Sequence, residues 1–576
     1  MITWDEGLLP EQRNAAMHIG SNAYLLAGPG TGKTLTLTRH ICYLIDVKGV
    51  QPELICVLTF TRAAARELCQ RVKTVVGHER MPKIFTLHSF ALRQILRNSG
   101  RLTLVPQPLR IADDWEERNI ILEDLKTLLG LGNINEARDL LNKLSADWQH
   151  LTVEKGEWEQ RFANPAFLGA WREHREIYGY VLRAELVYQL KLALEQYDDF
   201  VLEGPPRYLL VDEYQDLNRC DLAVVKAIAD TGAEIFAAGD DDQSIYGFRM
   251  AHPEGIRRFS RDYADACKLE LEICKRCDQE ILELGLFVAC QDYARLRKPL
   301  RAEDGRQGAE IALLRFQNQF QEAQGIALLC RYLIYTHRVK PEQILILLRA
   351  DRNGCFSSVI RQQLEQHVVP CNVATADTDP LNERTMRIVL SFLRLLENAS
   401  DHLAWRTLLN QRDNRIGPGA INSVYQFART QGLSFTEALI NISNDPSLIS
   451  ERYGRLINAE VKAIKEILLE LLTLLPSEEE DTSLIESLSR IINHLVNSPD
   501  ERRIIQDHIN KIIEMAEPNS IGDLLRAIQV SKEDIEQEID EGKVNILTMH
   551  KAKGLTAEAV IIAAAEDEIL TWSCCR

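Results

Sequence analysis

Ala23-Tyr24-Leu25-Leu26-Ala27-Gly28-Pro29-Gly30-Thr31-Gly32-Lys33-Thr34 runs from a short apolar segment through three glycines to a lysine and a threonine. The apolar residues predict a buried strand, and the pattern after Thr34 predicts a helix. The glycine-rich turn between them reads as a phosphate-binding loop, with Ala27 where G-x-x-x-x-G-K-[ST] has its first glycine. Gly28, Gly30 and Gly32, with Pro29 and Thr31 between them, let the backbone aim its N–H groups at phosphates. The start of the following helix adds the positive end of its dipole. Lys33 would hold the β- and γ-phosphates of a nucleoside triphosphate, and Thr34 would ligate Mg²⁺.

Leu209-Leu210-Val211-Asp212-Glu213 reads as a second apolar strand ending in two carboxylates. In a chain with a phosphate loop, Asp212 is expected to hold Mg²⁺ and Glu213 to polarise the attacking water. Leu54 to Phe60, Tyr208 to Val211 and Glu234 to Ala238 are further short apolar strands, each followed by a helix-like stretch. That alternation predicts an α/β fold with a parallel sheet. A second set, Ile311 to Leu314, Ile344 to Leu348, Val544 to Thr548 and Ala559 to Ala563, predicts a second α/β body. Residues about 100–195 and 385–540 read as helical. In the latter, Leu456, Ile457, Val461, Ile464, Ile467, Leu468, Leu471 and Leu475 have amphipathic spacing, and Pro476 with the acidic run 478–481 marks a solvated loop.

The 576 residues suffice for several domains, and 45% hydrophobic with 26% charged residues is the composition of a globular protein. No apolar run approaches a membrane span, and the N-terminus, Met1 to Glu6, lacks the features of a signal peptide, so a cytoplasmic location without a membrane partner is expected. The net charge of −17 argues against coating nucleic acid through bulk charge but leaves room for a locally basic groove. The 13 cysteines are scattered and read as reduced thiols. Cys267, Cys274, Cys277 and Cys290 fit no metal-site spacing well, and buried or incidental thiols are the preferred reading.

Two segments, Asp212-Glu213-Tyr214-Gln215-Asp216 and Gly239-Asp240-Asp241-Asp242-Gln243-Ser244-Ile245-Tyr246-Gly247-Phe248-Arg249, resemble signatures of the UvrD/Rep/PcrA-type superfamily 1 helicases. Leu9 to Arg13, Thr59 to Ala65, Thr86 to Phe90, Leu348-Arg349, Arg415 to Gly417 and Thr548 to Leu555 resemble its other motifs, in its order. The resemblance implies two RecA-like parallel-sheet domains of the P-loop NTPase type, each with a helical insertion. The boundaries expected are 1–100 and 196–275 for the first RecA-like domain, 101–195 for its insertion, 276–384 and 541–576 for the second, and 385–540 for its insertion. By the same resemblance, Gln12 would read adenine, Gln243 would sense the γ-phosphate, Arg276 would contact it from the far body, and Gly554 would lie at the nucleotide. Thr59, Phe60, Thr61, His88, Tyr246, Phe248, Arg249, Arg349, Thr548 and His550 would contact or support single-stranded DNA. The aromatic residues among them suit sequence-tolerant stacking. The implied activity is an ATP-dependent 3′→5′ helicase or translocase of DNA repair or replication. Its expected partners are single strands, single/double-strand junctions, and repair or nuclease proteins.

The chain also departs from that pattern. Where the family has Asn-Tyr-Arg-Ser, this sequence has Cys274-Lys275-Arg276-Cys277, and Leu35 stands where an arginine is usual. Weaker adenine stacking is the expected consequence. Arg62-Ala63 and Thr556 replace an Asn-Lys and a Glu of the pattern, the latter a ribose contact. The pattern holds to about Leu570 and then gives way at Trp572 to Arg576, before a second arginine motif. On that reading the chain is truncated and its hydrolysis impaired, leaving an ATP-dependent DNA-binding or regulatory remnant as the alternative to a motor. A helicase–nuclease motor portion and an RNA track are further alternatives, the latter because stacking does not exclude a 2′-OH.

Overall fold

The computed structural model describes residues 3–98, 106–197, 199–245, 247, 253–351, 354–373, 380–412, 415–475, 483–516, 518–530 and 539–566. The chain divides into two compact units. The first comprises residues 1–87, 204–376 and 534–576, and the second residues 88–203 and 377–533.

The first unit carries two parallel sheets. In the larger, β1 (Ala23–Ala27), β2 (Ile55–Thr59), β3 (Lys83–Thr86), β4 (Tyr208–Val211), β5 (Glu234–Gly239) and β6 (Cys267–Leu271) lie in the order β3-β2-β4-β5-β1-β6. Every neighbouring pair is parallel. β1, β2 and β4 are buried along their whole length, as a sheet covered on both faces requires. Helix α1 (Pro10–Ala16) precedes β1, and Leu25, Leu210, Phe236 and Ala238 from the sheet meet Leu37, Ile41 and Leu44 of helix α2 (Lys33–Asp46) in one apolar core. The spacing of those α2 residues is that of a helix with one buried stripe.

In the smaller sheet, β7 (Ile344–Leu348), β8 (Cys371–Val373), β9 (Val544–Thr548) and β10 (Ala559–Ile562) run in the order β8-β9-β7-β10, again all parallel. Ile344, Ile346, Val544 and Ile546 pack with Ala323, Ile326 and Cys330 of the helix Gln319–Tyr335. Residues 311–314, expected as a strand, belong to none. Leu313 is fully exposed there and Ile311 and Leu314 are half-exposed, so the segment has no strand neighbour to bond.

The second unit is helical around one continuous core. Ile120, Leu125, Phe167 and Tyr178 share it with Phe392, Leu408, Phe435, Ile457 and Ile464. The helix Glu451–Leu474 buries Ile457, Val461, Ile464 and Leu471 and ends before Pro476. A buried ionic cluster lies inside this unit. Asp113 accepts from Arg387 at 2.7 Å and from Arg394 at 2.8 Å, and Arg110 donates to Glu116 at 2.5 Å and to Asp401 at 2.6 Å. Burial would push Asp113 up, but Arg387 and Arg394 hold it far below the usual carboxylate range. Among the described residues, no helix is long and apolar enough to cross a membrane.

Candidate active site

The chemistry of the first unit gathers at the carboxyl ends of its strands, where open α/β sheets place their ligands. β1 runs into the phosphate loop, β4 into Asp212-Glu213, and β5 into Asp240-Asp241-Asp242. Gly30 has φ 68° and Gly32 has φ 89°, both in the left-handed region that favours glycine. Gly32 caps the start of α2, whose opening N–H groups have no preceding turn to bond. Lys33 is buried, yet it has no hydrogen bond or ion pair among the described residues. Its charge acts on Asp212 and Glu213.

Asp212 is buried and pushed up to about 7 by that burial and by the adjacent Glu213, with Lys33 and Lys553 opposing. Burial would also raise Glu213, but Lys33, Lys553, the Gln215 side chain and Arg276 together hold it below its ordinary value. Glu213 sits in the left-handed region at φ 51°, a strained conformation for a residue with a side chain, of the kind that collects at functional sites. Gln215 Nε2 donates to Glu213 at 2.5 Å, and Gln215 Oε1 accepts from the Asp240 N–H at 3.0 Å. One amide thus links the ends of β4 and β5. The side chain of Gln243 does not project freely: its Nε2 donates to Asp240 Oδ2 at 2.7 Å.

The aspartate triplet has the proximity of a cation site, and protein cations already fill it. Lys298 donates to Asp240, to Asp241 at 2.7 Å, and pairs with Asp242 at 2.9 Å. Arg257 pairs with Asp241 at 3.1 Å, and Arg295 with Asp242 at 2.8 Å. Cys267, Cys274, Cys277 and Cys290 form no such ion-binding group among the described residues.

Gln12 closes the back of the loop. Its Oε1 accepts from the Leu9 N–H at 2.9 Å, and its Nε2 donates to the Thr31 carbonyl at 2.8 Å. A Cβ on Gly32 would lie 2.6 Å from Gln12 Nε2. Thr31 Oγ1 donates to the Gly28 carbonyl at 2.8 Å, fixing the curl of the loop. Arg276 is brought to the same place. The Lys275 N–H donates to the Gly30 carbonyl at 2.9 Å, and Arg276 Nη2 donates to the Gly554 carbonyl at 3.5 Å. Lys553 donates to Asp216 Oδ2 at 2.5 Å and to the Gln243 carbonyl at 3.1 Å.

The expected strand-contact residues also stand at strand ends. Thr59 closes β2, paired with Thr86 of β3, and Thr548 closes β9, paired with Leu348 before Arg349. Thr59 Oγ1 donates to the Thr61 carbonyl at 2.9 Å, and Thr61 Oγ1 accepts from Ala64 N–H as the cap of α3 (Arg62–Val76). Both hydroxyls therefore shape the loop that carries Phe60, which is half-buried. His550 is half-buried beyond β9. His88 begins the second compact unit. Tyr246, Phe248, Arg249 and the chain's last residues, 567–576, lie outside the described residues.

Gln215, Lys298 and Lys553 were not singled out from the sequence as site residues. Gln215 and Lys553 lie inside quoted motifs, and their polar partners there were the available signal. Lys298 has none, because its role depends on a fold that carries it 56 residues or more to the triplet.

Residues 8–264 match the UvrD/REP helicase N-terminal domain, and residues 269–571 match the UvrD-like helicase C-terminal domain. The chain is 26% identical over 98% of its length to the ATP-dependent DNA helicase UvrD1 of Mycobacterium leprae, covering 78% of that protein. It is 26% identical to the ATP-dependent DNA helicase Rep of Salmonella typhimurium over 98% of this chain and 86% of Rep. It is 27% identical to the ATP-dependent DNA helicase PcrA of Bacillus subtilis over 98% of this chain and 78% of PcrA.

Proposed function

This chain belongs to the UvrD-like helicase family, and from that premise we propose that it is an ATP-driven motor on single-stranded DNA. It moves 3′→5′ and opens single/double-strand junctions in DNA repair or replication, in the cytoplasm, with repair or nuclease proteins as partners. The observation that carries this reading is the reach of Lys553. That side chain follows the segment Thr548 to His550, expected to contact the strand, and it bonds Asp216 beside the Asp212-Glu213 pair and the Gln243 carbonyl. A change at the nucleotide side would therefore be felt at the strand side through one side chain.

In this reading the N–H groups at the loop and the start of α2 bind phosphate oxygens, and Lys33 supplies a charge that no group among the described residues neutralises by direct contact. Glu213, kept ionised by Lys33 and Lys553, orients and deprotonates a water. Arg276 lies against the loop to meet charge that develops on the transferred group. Thr34 and Asp212 offer hydroxyl and carboxylate oxygens, the donor chemistry of Mg²⁺, and the ion would neutralise phosphate charge when bound. Phe60, with Tyr246 and Phe248, gives bases an aromatic face.

The test is steady-state ATP hydrolysis with and without single-stranded DNA, beside Lys33→Ala. Strong stimulation that the variant loses supports the motor. DNA binding in ATP without any stimulation replaces it with a binding or regulatory role. An RNA competitor of the same sequence decides the track, and strands labelled at either end decide the direction.

A further inference from the structure

Cys274-Lys275-Arg276-Cys277 sets two thiols around the arginine that meets the phosphate loop. Cys274 ends the short strand Ile273–Cys274, which pairs with Arg301–Ala302. Residues 275–277 bend, and the helix Gln279–Ala289 begins just beyond. The bend folds the chain back so that Cys277 packs against the small apolar cluster that holds Cys274, with Leu282, Leu286 and Leu300. Cys274 is fully buried and Cys277 is half-buried, so one sulfur is sheltered and its neighbour is reachable from solvent. The pair is seated on the loop itself. A Cβ at Gly30 would lie 3.0 Å from Cys274 Sγ and 2.4 Å from Arg276 Cβ.

Two thiols without further ligands do not make a zinc site, which needs three or four. Two thiols spaced C-x-x-C and gathered in one small cluster are placed for a disulfide. We propose that Cys274 and Cys277 form a reversible disulfide, a redox-modification site that disables the nucleotide site by moving Arg276 away from Gly30. The regulatory half of this proposal rests on the motor reading above.

The oxidant class is a peroxide. The Cys277 sulfur attacks one peroxide oxygen, the O–O bond breaks, and the departing hydroxide takes the Cys277 proton, leaving a sulfenic acid and water. The Cys274 sulfur then attacks the sulfenic sulfur, the S–O bond breaks, and a second water leaves. Two thiols lose two electrons and two protons, and the peroxide is reduced to two waters. A dithiol reverses the bond by exchange and becomes a disulfide itself. The hydrogen bond from Cys277, with the N–H groups of Cys277 and Arg276 and the Arg276 charge, outweighs burial and brings Cys274 down to about 6. Cys274 is thus equipped to resolve the sulfenic acid as a thiolate, while the neighbouring Cys274 sulfur and burial push the Cys277 thiol up. An S–S bond is roughly 2.05 Å, shorter than any thiol hydrogen bond, so closing it tightens the bend that carries Lys275 and Arg276.

The experiment treats the full chain with hydrogen peroxide, blocks free thiols, and cleaves after glutamate to release residues 273–280 whole. The expected fragment is two hydrogens lighter and unblocked. DNA-stimulated ATP hydrolysis falls at least about tenfold, within what loss of an arginine finger costs, and returns with dithiothreitol. Cys277→Ser keeps the reduced-state rate and does not respond to peroxide. A fragment that stays reduced and fully blocked while other cysteines oxidise overturns the proposal. So does a Cys277→Ser chain that loses activity as the unaltered chain does. A reduced chain with no ATP hydrolysis would sink the motor reading instead, and the fragment mass would still decide the disulfide.

Discussion

Replacing Lys298 by methionine removes the cation at the centre of the aspartate triplet. The Lys298 side chain is 1% exposed, and those of Asp240 and Asp241 are fully buried. Breaking a buried ion pair by removing one partner costs about 3–5 kcal/mol, because the remaining charge is stranded. Asp241 keeps Arg257 and the Leu296 N–H at 2.8 Å, and Asp242 keeps Arg295. Among the described residues, Asp240 retains only neutral donors, Gln243 Nε2 and the Asp242 N–H at 3.2 Å. One stranded carboxylate instead of three puts the loss at the lower end, about 3 kcal/mol, or roughly 150-fold in the local opening equilibrium. A chain of two compact units need not unfold in one step, so a single melting point is the wrong readout. Amide hydrogen exchange across β5 and the turn after it reads the local equilibrium. Lys298→Met should expose those amides about 150-fold more often, and adding Asp240→Asn should restore most of the protection. Protection within threefold of the unaltered chain in Lys298→Met, or no recovery in the double variant, refutes the assignment of Lys298 as the triplet's counter-charge.

Gly30→Ala adds a methyl at φ 68° that would lie 2.4 Å from Arg276 Cβ. It should abolish ATP hydrolysis while leaving the helical unit folded, measured by hydrolysis beside circular dichroism. Phe60→Ala should weaken single-strand binding by about 1–3 kcal/mol, the worth of one stacked base. Fluorescence anisotropy with a labelled oligonucleotide checks it, and unchanged affinity removes Phe60 from the contact. In the helical unit, Asp113, Asp124 and Asp401 are all held below their ordinary values by arginines that outweigh burial. Depressed carboxylates contribute stability that is fully present above their unfolded values, near 4, and lost as pH falls through the folded ones. Helix content should therefore hold down to about pH 4 and fall below it, and Asp113→Asn should make that fall shallower.

The buried strands of the larger sheet were legible because burial on both faces demands an unbroken apolar run. Leu25-Leu26, Leu58 and Leu209 to Val211 satisfy that demand in the sequence and in the fold. β3, with Lys83 at its start, lies at the sheet's edge, and three of its four residues escape full burial, so its sequence carries no such run. β6, Cys267-Lys268-Leu269-Glu270-Leu271, alternates for the same reason at the other edge. Residues 311–314 show the converse: an apolar run predicts a strand only where a neighbour offers its hydrogen bonds. At the site, the motifs gave Lys33, Asp212, Glu213 and Arg276 their places along the chain. They could not show that Gln243 spends its amide on Asp240, or that the aspartates draw their counter-charges from residues 257, 295 and 298. Those are facts of three-dimensional proximity, and sequence separation hides them.

The chain's excess negative charge and its candidate site follow opposite logics. Over the surface, charge is diffuse and screened within about 10 Å at ordinary salt. At the strand ends, Lys33 and Lys553 act on Asp212, Glu213 and Asp216, and Arg276 acts on Glu213. These cations hold Glu213 below its ordinary value but do not satisfy Asp212 and Asp216, which are pushed up to about 7 and about 6, in both cases chiefly by burial. A divalent cation beside Asp212 would favour its charged form and so is stabilised by the same burial that disfavours the bare carboxylate. Phosphate groups in the loop would meanwhile engage Lys33. Binding at either half therefore redistributes the charge felt by Asp216 and Lys553. Lys553 follows the segment that Thr548 and His550 present beyond β9. On the proposed reading, coupling between nucleotide and strand would need no long pathway, because the same few charges would serve both.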